Sequence, residues 1–359
     1  MSLTNKRWFR SMIAIILSLI IIFLLDKVSF IFTPLTVLLK TIFLPFVVAG
    51  ILFYLCRPLV SYLERNKVPK GIAIITAYIA IVLVIFGMTR LIGPVVNDQL
   101  DRFVQNIPEM TEAIKEVVEY VNENQEEIIP QSLKDYSKNL SNNIESYDIE
   151  GYISSWSLGI ISFVTGIVNT IIYLILVPFI LFYMLKDSNR FVPFISKFFP
   201  QNKRSDVKDV FGAMDKTISS YIQGQVFVSI CIGTLLLIGY LVIDLEYSIV
   251  LALFGMFTNV IPFIGPFIAV IPALLVALFQ DPIMVFYVAI IMIVAQQVEG
   301  NIISPQVMGK TLQIHPLTII VLILFAGNLI GFIGIIFVIP VYAVSKTVVT
   351  HLYKLIVSS

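Results

Sequence analysis

Asn259-Val260-Ile261-Pro262-Phe263-Ile264-Gly265 returns later in the chain as Asn328-Leu329-Ile330-Gly331-Phe332-Ile333-Gly334. Five of the seven positions are identical, and the other two exchange Val for Leu and Pro for Gly. Each copy is followed by an apolar stretch that ends Val-Ile-Pro, at Val270 to Pro272 and at Val338 to Pro340. A polar Asn beside helix breakers, deep in apolar sequence and present twice, is more than membrane anchoring requires. Interrupted helices in corresponding positions of a repeat are the sequence feature that points to a transporter's binding site.

The surrounding composition sets the solvent. The chain is 58% hydrophobic and 13% charged over 359 residues, with a mean hydropathy of +0.94. A soluble fold of this length has no use for so much apolar surface, and runs of about 18 or more apolar residues mark membrane spans. The net charge of +1 conceals a segregation: Asp98 to Tyr152 hold thirteen Asp/Glu against four Lys/Arg, and the remainder of the chain is basic. Lys and Arg near span ends stay cytoplasmic, so this segregation sets topology. Cys56 and Cys231 both lie in apolar sequence, which predicts reduced thiols rather than a disulfide framework.

Lys6, Arg7 and Arg10 precede an apolar run to Leu25 with no small-residue cleavage site after it. This reads as a retained first span with a cytoplasmic N-terminus. Val28 to Leu39 is interrupted by Pro34; Thr41 to Cys56 returns inside at Arg57, and Gly71 to Ile92 goes out again. Residues 98–152 form an acidic external insert, whose Met110, Ile114, Val117, Val118 and Val121 give a narrow apolar stripe on a polar helix. Ile153 to Leu185 returns inside, with Lys186-Asp187 as its expected end. Ser188 to Lys216 is a basic cytoplasmic segment in which Phe191, Phe194, Ile195, Phe198 and Phe199 interleave with charges, as in an interfacial helix. Thr217 to Ile243 then crosses outward.

The rest admits two drawings. Either 247–280, 282–299 and 316–350 all cross, or 247–280 and 316–346 are re-entrant hairpins. The arms Tyr247 to Thr258 and Leu317 to Asn328 are twelve residues each, about 18 Å at 1.5 Å per residue. Neither crosses an apolar core of about 30 Å alone, which favours hairpins. The expected fold is therefore an all-α polytopic membrane protein with about six spans plus two re-entrant hairpins (or eight spans) and a small helical insert outside the membrane. Its expected parts are spans 1–3 (1–97), the acidic insert (98–152), the fourth span with the basic segment (153–216), and a core of duplicated span-plus-hairpin units (217–280 and 282–346, within 217–359).

The candidate site residues come from this core. Gln296, Gln297, Glu299 and Asn301 follow almost wholly apolar sequence; amides and carboxylates at membrane depth are costly and usually face a cavity. Gln296, Glu299 and Asn301 can share a helical face. A polar helix end at the headgroups is the alternative reading. Gln223 and Gln225, in Tyr221-Ile222-Gln223-Gly224-Gln225, open the preceding span at the corresponding position. Asn259 with Pro262 and Gly265, and Asn328 with Gly331 and Gly334, would bring amides and freed backbone groups to the hairpin tips. Glu299 is the one candidate for ion coupling. His315, beside Pro316, reads as a loop or capping residue, with proton acceptance as the sharper alternative. No H-E-x-x-H, G-x-S-x-G or Walker A phrase is present, and two histidines exclude a His-rich metal site. No enzyme activity, cofactor, metal or nucleic-acid partner is expected.

Several phrases resemble the AI-2E family of prokaryotic membrane proteins (autoinducer-2 exporter-like transporters). They are Leu44-Pro45-Phe46, Arg57-Pro58-Leu59-Val60, Tyr183-Met184-Leu185-Lys186-Asp187, Tyr221 to Gln225, Ile261 to Pro266, and the run Gln297 to Asn301 through Pro305, Gly309 and Lys310 to His315-Pro316-Leu317. The resemblance implies a multi-pass protein of the cell membrane, with both termini cytoplasmic on the charge reading, and a homo-oligomer in the lipid bilayer. Some members are linked to autoinducer-2 export in quorum sensing, others to sodium–proton antiport. Three functions follow as expectations: a transporter of a small polar solute such as autoinducer-2, a cation–proton antiporter, and a membrane protein whose acidic insert binds a partner.

Overall fold

The computed structural model describes residues 12–13, 16–17, 20, 33–103, 105–106, 171–308 and 314–357. Most of the expected first span, most of the acidic insert, residues 153–170 of the fourth span, and Gly309 and Lys310 lie outside them. Every regular element among the described residues is helical. Four are long and apolar enough to cross a membrane: Thr41–Arg65, Lys70–Leu91, Gln201–Val242 and Pro282–Val307. Shorter apolar helices accompany them. The total of six or eight spans also counts segments beyond the described residues.

Helix α1 runs Thr33–Arg65 and α2 Lys70–Leu91. Pro34 does not interrupt α1, because it sits in the first turn, where a missing N–H leaves no bond unmade. Helix α3 covers Ile171–Ser196, so Lys186-Asp187 does not end it. The basic segment is mostly helix too. After a turn at 197–200 and a 3-10 turn at Gln201–Lys203, α4 starts at Arg204 and runs unbroken to Val242. Residues 204–216 contain no proline, and none of their charged side chains is buried, so the helix carries them without cost.

Two compact units divide the chain, one of Met1–Phe53 with Ile171–Leu185, the other of Tyr54–Thr170 with Lys186–Ser359. The first buries Ala49, Phe53, Leu181 and Leu185, and Tyr183 stacks its ring edgewise and tilted against Phe182 and Phe179. The second holds the repeat. There Val228, Ile232, Leu236 and Tyr240 of α4 pack with α5 (Ser248–Thr258), α6 (Ile264–Gln280) and α7 (Pro282–Val298) in one apolar core. A second cluster joins Tyr221 of α4 to Ile319 and Ile323 of α9 (Pro316–Ile330) and Ile339 of α10 (Phe332–Val357). Between them, α7 runs into a π turn at Glu299–Ile303 and the short α8, Ser304–Met308.

Both repeat copies fold as helical hairpins. Helix α5 has 11 residues, about 16 Å. The chain turns through 259–263, with Phe263 at φ 67°, and returns as α6. The register is antiparallel and close: a Cβ on Gly265 would lie 2.1 Å from the Thr258 carbonyl oxygen, and one on Gly255 would lie 3.7 Å from Ala269 Cβ. In the second copy the turn is tighter, a single Gly331 at φ 71° and ψ −151°. A Cβ on Gly334 would lie 2.3 Å from the Ala326 carbonyl oxygen. Gly265 and Gly334 are therefore points of close backbone approach between the two arms of each hairpin.

Polar side chains fix the ends of these elements. Asp281 caps α7 by accepting from Ile283 N at 2.9 Å, with Pro282 in the first turn. His315 caps α9 by accepting from Leu317 N at 3.3 Å, so capping is the role the fold gives it. Gln280 closes the opposite corner, accepting from Glu246 N and donating to the Asp244 carbonyl, both at 2.9 Å. Phe103 and Asn106, at the start of the acidic insert, dock on Tyr247 by an edge-on ring contact of 5.4 Å and a 2.9 Å hydrogen bond. Cys56 and Cys231 are free thiols, as composition suggested.

Candidate functional site

Helix α4 carries two glutamines that end in different places. Successive residues turn by 100°, so Gln223 and Gln225 point about 160° apart. Gln223 donates to the Tyr54 carbonyl at 2.8 Å and to Ser219 Oγ at 3.1 Å. It belongs to a bracing cluster in which Arg57 grips both Asp215 oxygens at 2.8 and 2.6 Å, and Tyr54 Oη donates to Asp215 at 3.2 Å. This cluster joins the end of α1 to the base of α4. Both charged side chains are 37% exposed, so screening limits the pair to about 1 kcal/mol or less. Arg57→Ala is expected to lower thermal stability by that amount, with the loss shrinking at 1 M salt in a detergent melting series. A loss as large as that of a core truncation would mean the pair is desolvated in the assembled protein.

Gln225 faces the other way, into the core, and is 5% exposed. Its Nε2 donates to the Asn259 carbonyl at 2.6 Å. That carbonyl is one of those left free where α5 breaks off, so Gln225 ties the tip of the first hairpin to α4. Asn259 itself is 1% exposed. Its side chain faces the Glu299 carboxylate, yet Nδ2 completes no hydrogen bond. An unmet buried donor costs about 1–3 kcal/mol, and most folds avoid it. Glu299 in turn accepts from Gln296 Nε2 at 3.2 Å. No Lys or Arg pairs with Glu299 among the described residues. It opens the π turn, a local irregularity that is frequent at functional sites.

The structure thus brings together Gln225, Asn259, Gln296 and Glu299, from α4, the first hairpin tip and the α7 end. Pro262 and Gly265 shape that tip. The other expected residues fall elsewhere. Asn301 is exposed and donates to Gln297 at 2.7 Å, so it does not share Glu299's surroundings: the π turn changes the angular step that the helical count assumed. Asn328 is exposed and donates to the Leu324 carbonyl of its own helix at 3.1 Å. Gly331 is exposed and Gly334 buried against its partner arm. The repeat is symmetric in backbone and asymmetric in polar chemistry, and the two tips do not contribute equal amides to one cluster. Two buried hydroxyls were missed from the sequence. Tyr221 Oη and Ser229 Oγ lie one turn either side of Gln225 on α4, and both lack a partner. Their i, i+4, i+8 spacing in an apolar span was the available signal.

An all-helical chain with several membrane-length segments and paired broken hairpins is the architecture of a polytopic transport protein. Comparison with known proteins agrees. The AI-2E family transporter model matches residues 9–354, and the chain belongs to that family, as its sequence phrases implied. It is therefore an integral membrane protein of a transporter family. "Putative transport protein YueF" of Bacillus subtilis (strain 168) is 35% identical over 355 residues, covering 95% of this chain and 92% of the relative. "Putative transport protein YrrI" of the same organism is 27% identical over 350 residues, covering 97% and 96%. "Putative permease PerM" of Escherichia coli (strain K12) is 29% identical over 186 residues, about half of each chain at 51% and 52%.

Proposed function

We propose that the protein is a secondary transporter of the cell membrane that moves a small, hydroxylated, uncharged solute of the autoinducer-2 kind, held among Gln225, Asn259, Gln296 and Glu299. The observation that carries this reading is the unpartnered Asn259 Nδ2 facing the Glu299 carboxylate. A hydroxyl accepts from one group and donates to the other at once. A bare cation would meet the amide's positive edge. In this reading the two hairpins are re-entrant, both termini are cytoplasmic by the distribution of Lys and Arg, and copies associate in the bilayer. The hairpins move against a scaffold to expose the cluster to each side in turn.

A second reading, cation–proton antiport, is favoured by one feature. Glu299 is a half-buried carboxylate in a candidate span with amide neighbours and no cationic partner among the described residues, and such groups commonly carry protons or ions. Purified protein in liposomes separates the two. Under the solute reading, labelled autoinducer-2 shows saturable counterflow without any sodium gradient, and Glu299→Gln retains measurable downhill flux. Under the antiport reading, sodium–proton exchange runs without organic solute and disappears in Glu299→Gln. Absence of both activities from folded protein would remove the cluster from transport altogether.

A further inference from the structure

Tyr221, Gln225 and Ser229 sit at i, i+4 and i+8 of α4, within an arc of about 80° and a rise of about 12 Å. All three are buried, at 5%, 5% and 3% exposure. Only Gln225 is hydrogen-bonded through its side chain; Tyr221 Oη and Ser229 Oγ are orphaned. Hydroxyls in helices normally bond back toward the carbonyl four residues earlier. Thr217, Thr234, Thr258 and Thr347 all do so, to Ala213, Ile230, Phe254 and Ala343. Ser229 does not. Tyr221 belongs to a cluster with Ile319, Ile323 and Ile339 of the second hairpin, against which Ile264 at the first hairpin's tip also packs, surroundings that a Phe would fill without an unmet hydroxyl. Buried phenols otherwise find partners.

The level of Ser229 is set by contacts on both sides. A Cβ on Gly233, one turn beyond, would meet Met256 Cβ at 2.6 Å, and Gln225, one turn before, bonds Asn259. Ser229 therefore falls beside the 256–259 stretch of the first hairpin, between the levels of Met256 and Asn259. Tyr221 lies toward the end of α4 that bears Arg204, Lys208 and Lys216.

We propose that this face of α4 is a hydrated track that runs from the basic end of the helix past the Asn259–Glu299 cluster to Ser229, closed here by the two hairpins and wetted when they part from it. Tyr221 Oη and Ser229 Oγ are the track's hydrogen-bonding stations for water and for a hydroxylated solute. The cargo part rests on the solute reading above, whereas the hydration part does not.

The test uses full-length protein in membrane vesicles, with Cys56→Ala and Cys231→Ala as background. Single Ser229→Cys and Ile230→Cys variants are exposed to the water-soluble thiol reagent 2-aminoethyl methanethiosulfonate. Ile230 is 50% exposed in the isolated chain and Ser229 is 3% exposed, so simple surface access predicts faster labelling at 230. The track predicts the reverse, with Ser229→Cys labelled at least tenfold faster because residue 230 faces lipid. Equal rates, or a faster reaction at 230, would overturn it. An unreactive Ser229→Cys that labels fully after denaturation would do the same. Tyr221→Phe, with wild-type melting temperature, is expected to cut autoinducer-2 flux about fivefold; unchanged flux would remove Tyr221 from the track. Slower labelling of Ser229→Cys in the presence of autoinducer-2 supports the cargo part. Fast labelling without protection upholds the track and counts against the solute reading.

Discussion

Asn259→Leu is expected to lower solute flux by roughly 10- to 100-fold, while Asn328→Leu leaves it within about twofold of wild type. The two asparagines occupy matching positions of the repeat, so sequence alone predicts matching effects. Their surroundings differ. Asn259 is 1% exposed with its Nδ2 unmet; Asn328 is exposed and satisfied by its own helix. Leucine keeps the branched shape of Asn259 with somewhat greater bulk and leaves the backbone carbonyl that Gln225 holds, so the tip stays tied. On the proposed solute reading, what disappears is one hydrogen bond to cargo, about 1–3 kcal/mol in a buried setting. The same substitution removes a buried amide that completes no hydrogen bond of its own, so the melting temperature should change little. Loss of transport with retained stability is the signature of a group kept for function. The check is autoinducer-2 counterflow beside a thermal melt of both variants. Equal flux losses at 259 and 328, or full flux in Asn259→Leu, would reject the asymmetric site.

Gly265→Ala is expected to be the most damaging single methyl in the described core. The added Cβ would sit 2.1 Å from the Thr258 oxygen, 2.6 Å from its carbonyl carbon and 2.9 Å from Asn259 Cα. All three are backbone atoms, so no side chain can rotate away, and the arms of the first hairpin must separate. Overpacking of ordinary cores costs about 1–3 kcal/mol and at times more; here the clash also displaces the tip that carries Asn259. Gly334→Ala should behave alike, since its Cβ would lie 2.3 Å from the Ala326 oxygen. Gly300→Ala is the control: nothing lies within 4 Å of its added Cβ, and it should fold normally. Folded yield on size-exclusion chromatography and melting temperature provide the readout. Normal stability of Gly265→Ala would mean that the hairpin arms are not packed as described.

These contrasts show which parts of the fold are local. Arm length, the Asn-to-Gly phrase and the position of breakers were enough to expect hairpins, because a twelve-residue apolar arm is too short to cross and too apolar to lie in water. The caps at Asp281 and His315 follow from Asp-Pro and His-Pro, whose side chains and fixed φ favour a helix start. The helical continuation through Lys186-Asp187 was less legible, since charge marks a membrane boundary without breaking a helix. Asn301 was misplaced because a regular 100° step does not hold through a π turn.

The sequence by itself determined that this chain lives in a membrane, that it is helical, that it is interrupted twice at matching points, and which family it belongs to. Each of these depends on composition, on period or on a few neighbouring residues. Only the tertiary structure decided that Asn259 is buried opposite Glu299 while Asn328 is not, that Gln225 serves the cluster while Gln223 braces α1, and that Tyr221 and Ser229 keep unpaired hydroxyls. Those outcomes depend on which face of α4 meets which helix, and long-range packing sets that choice where local propensity is the same for both copies.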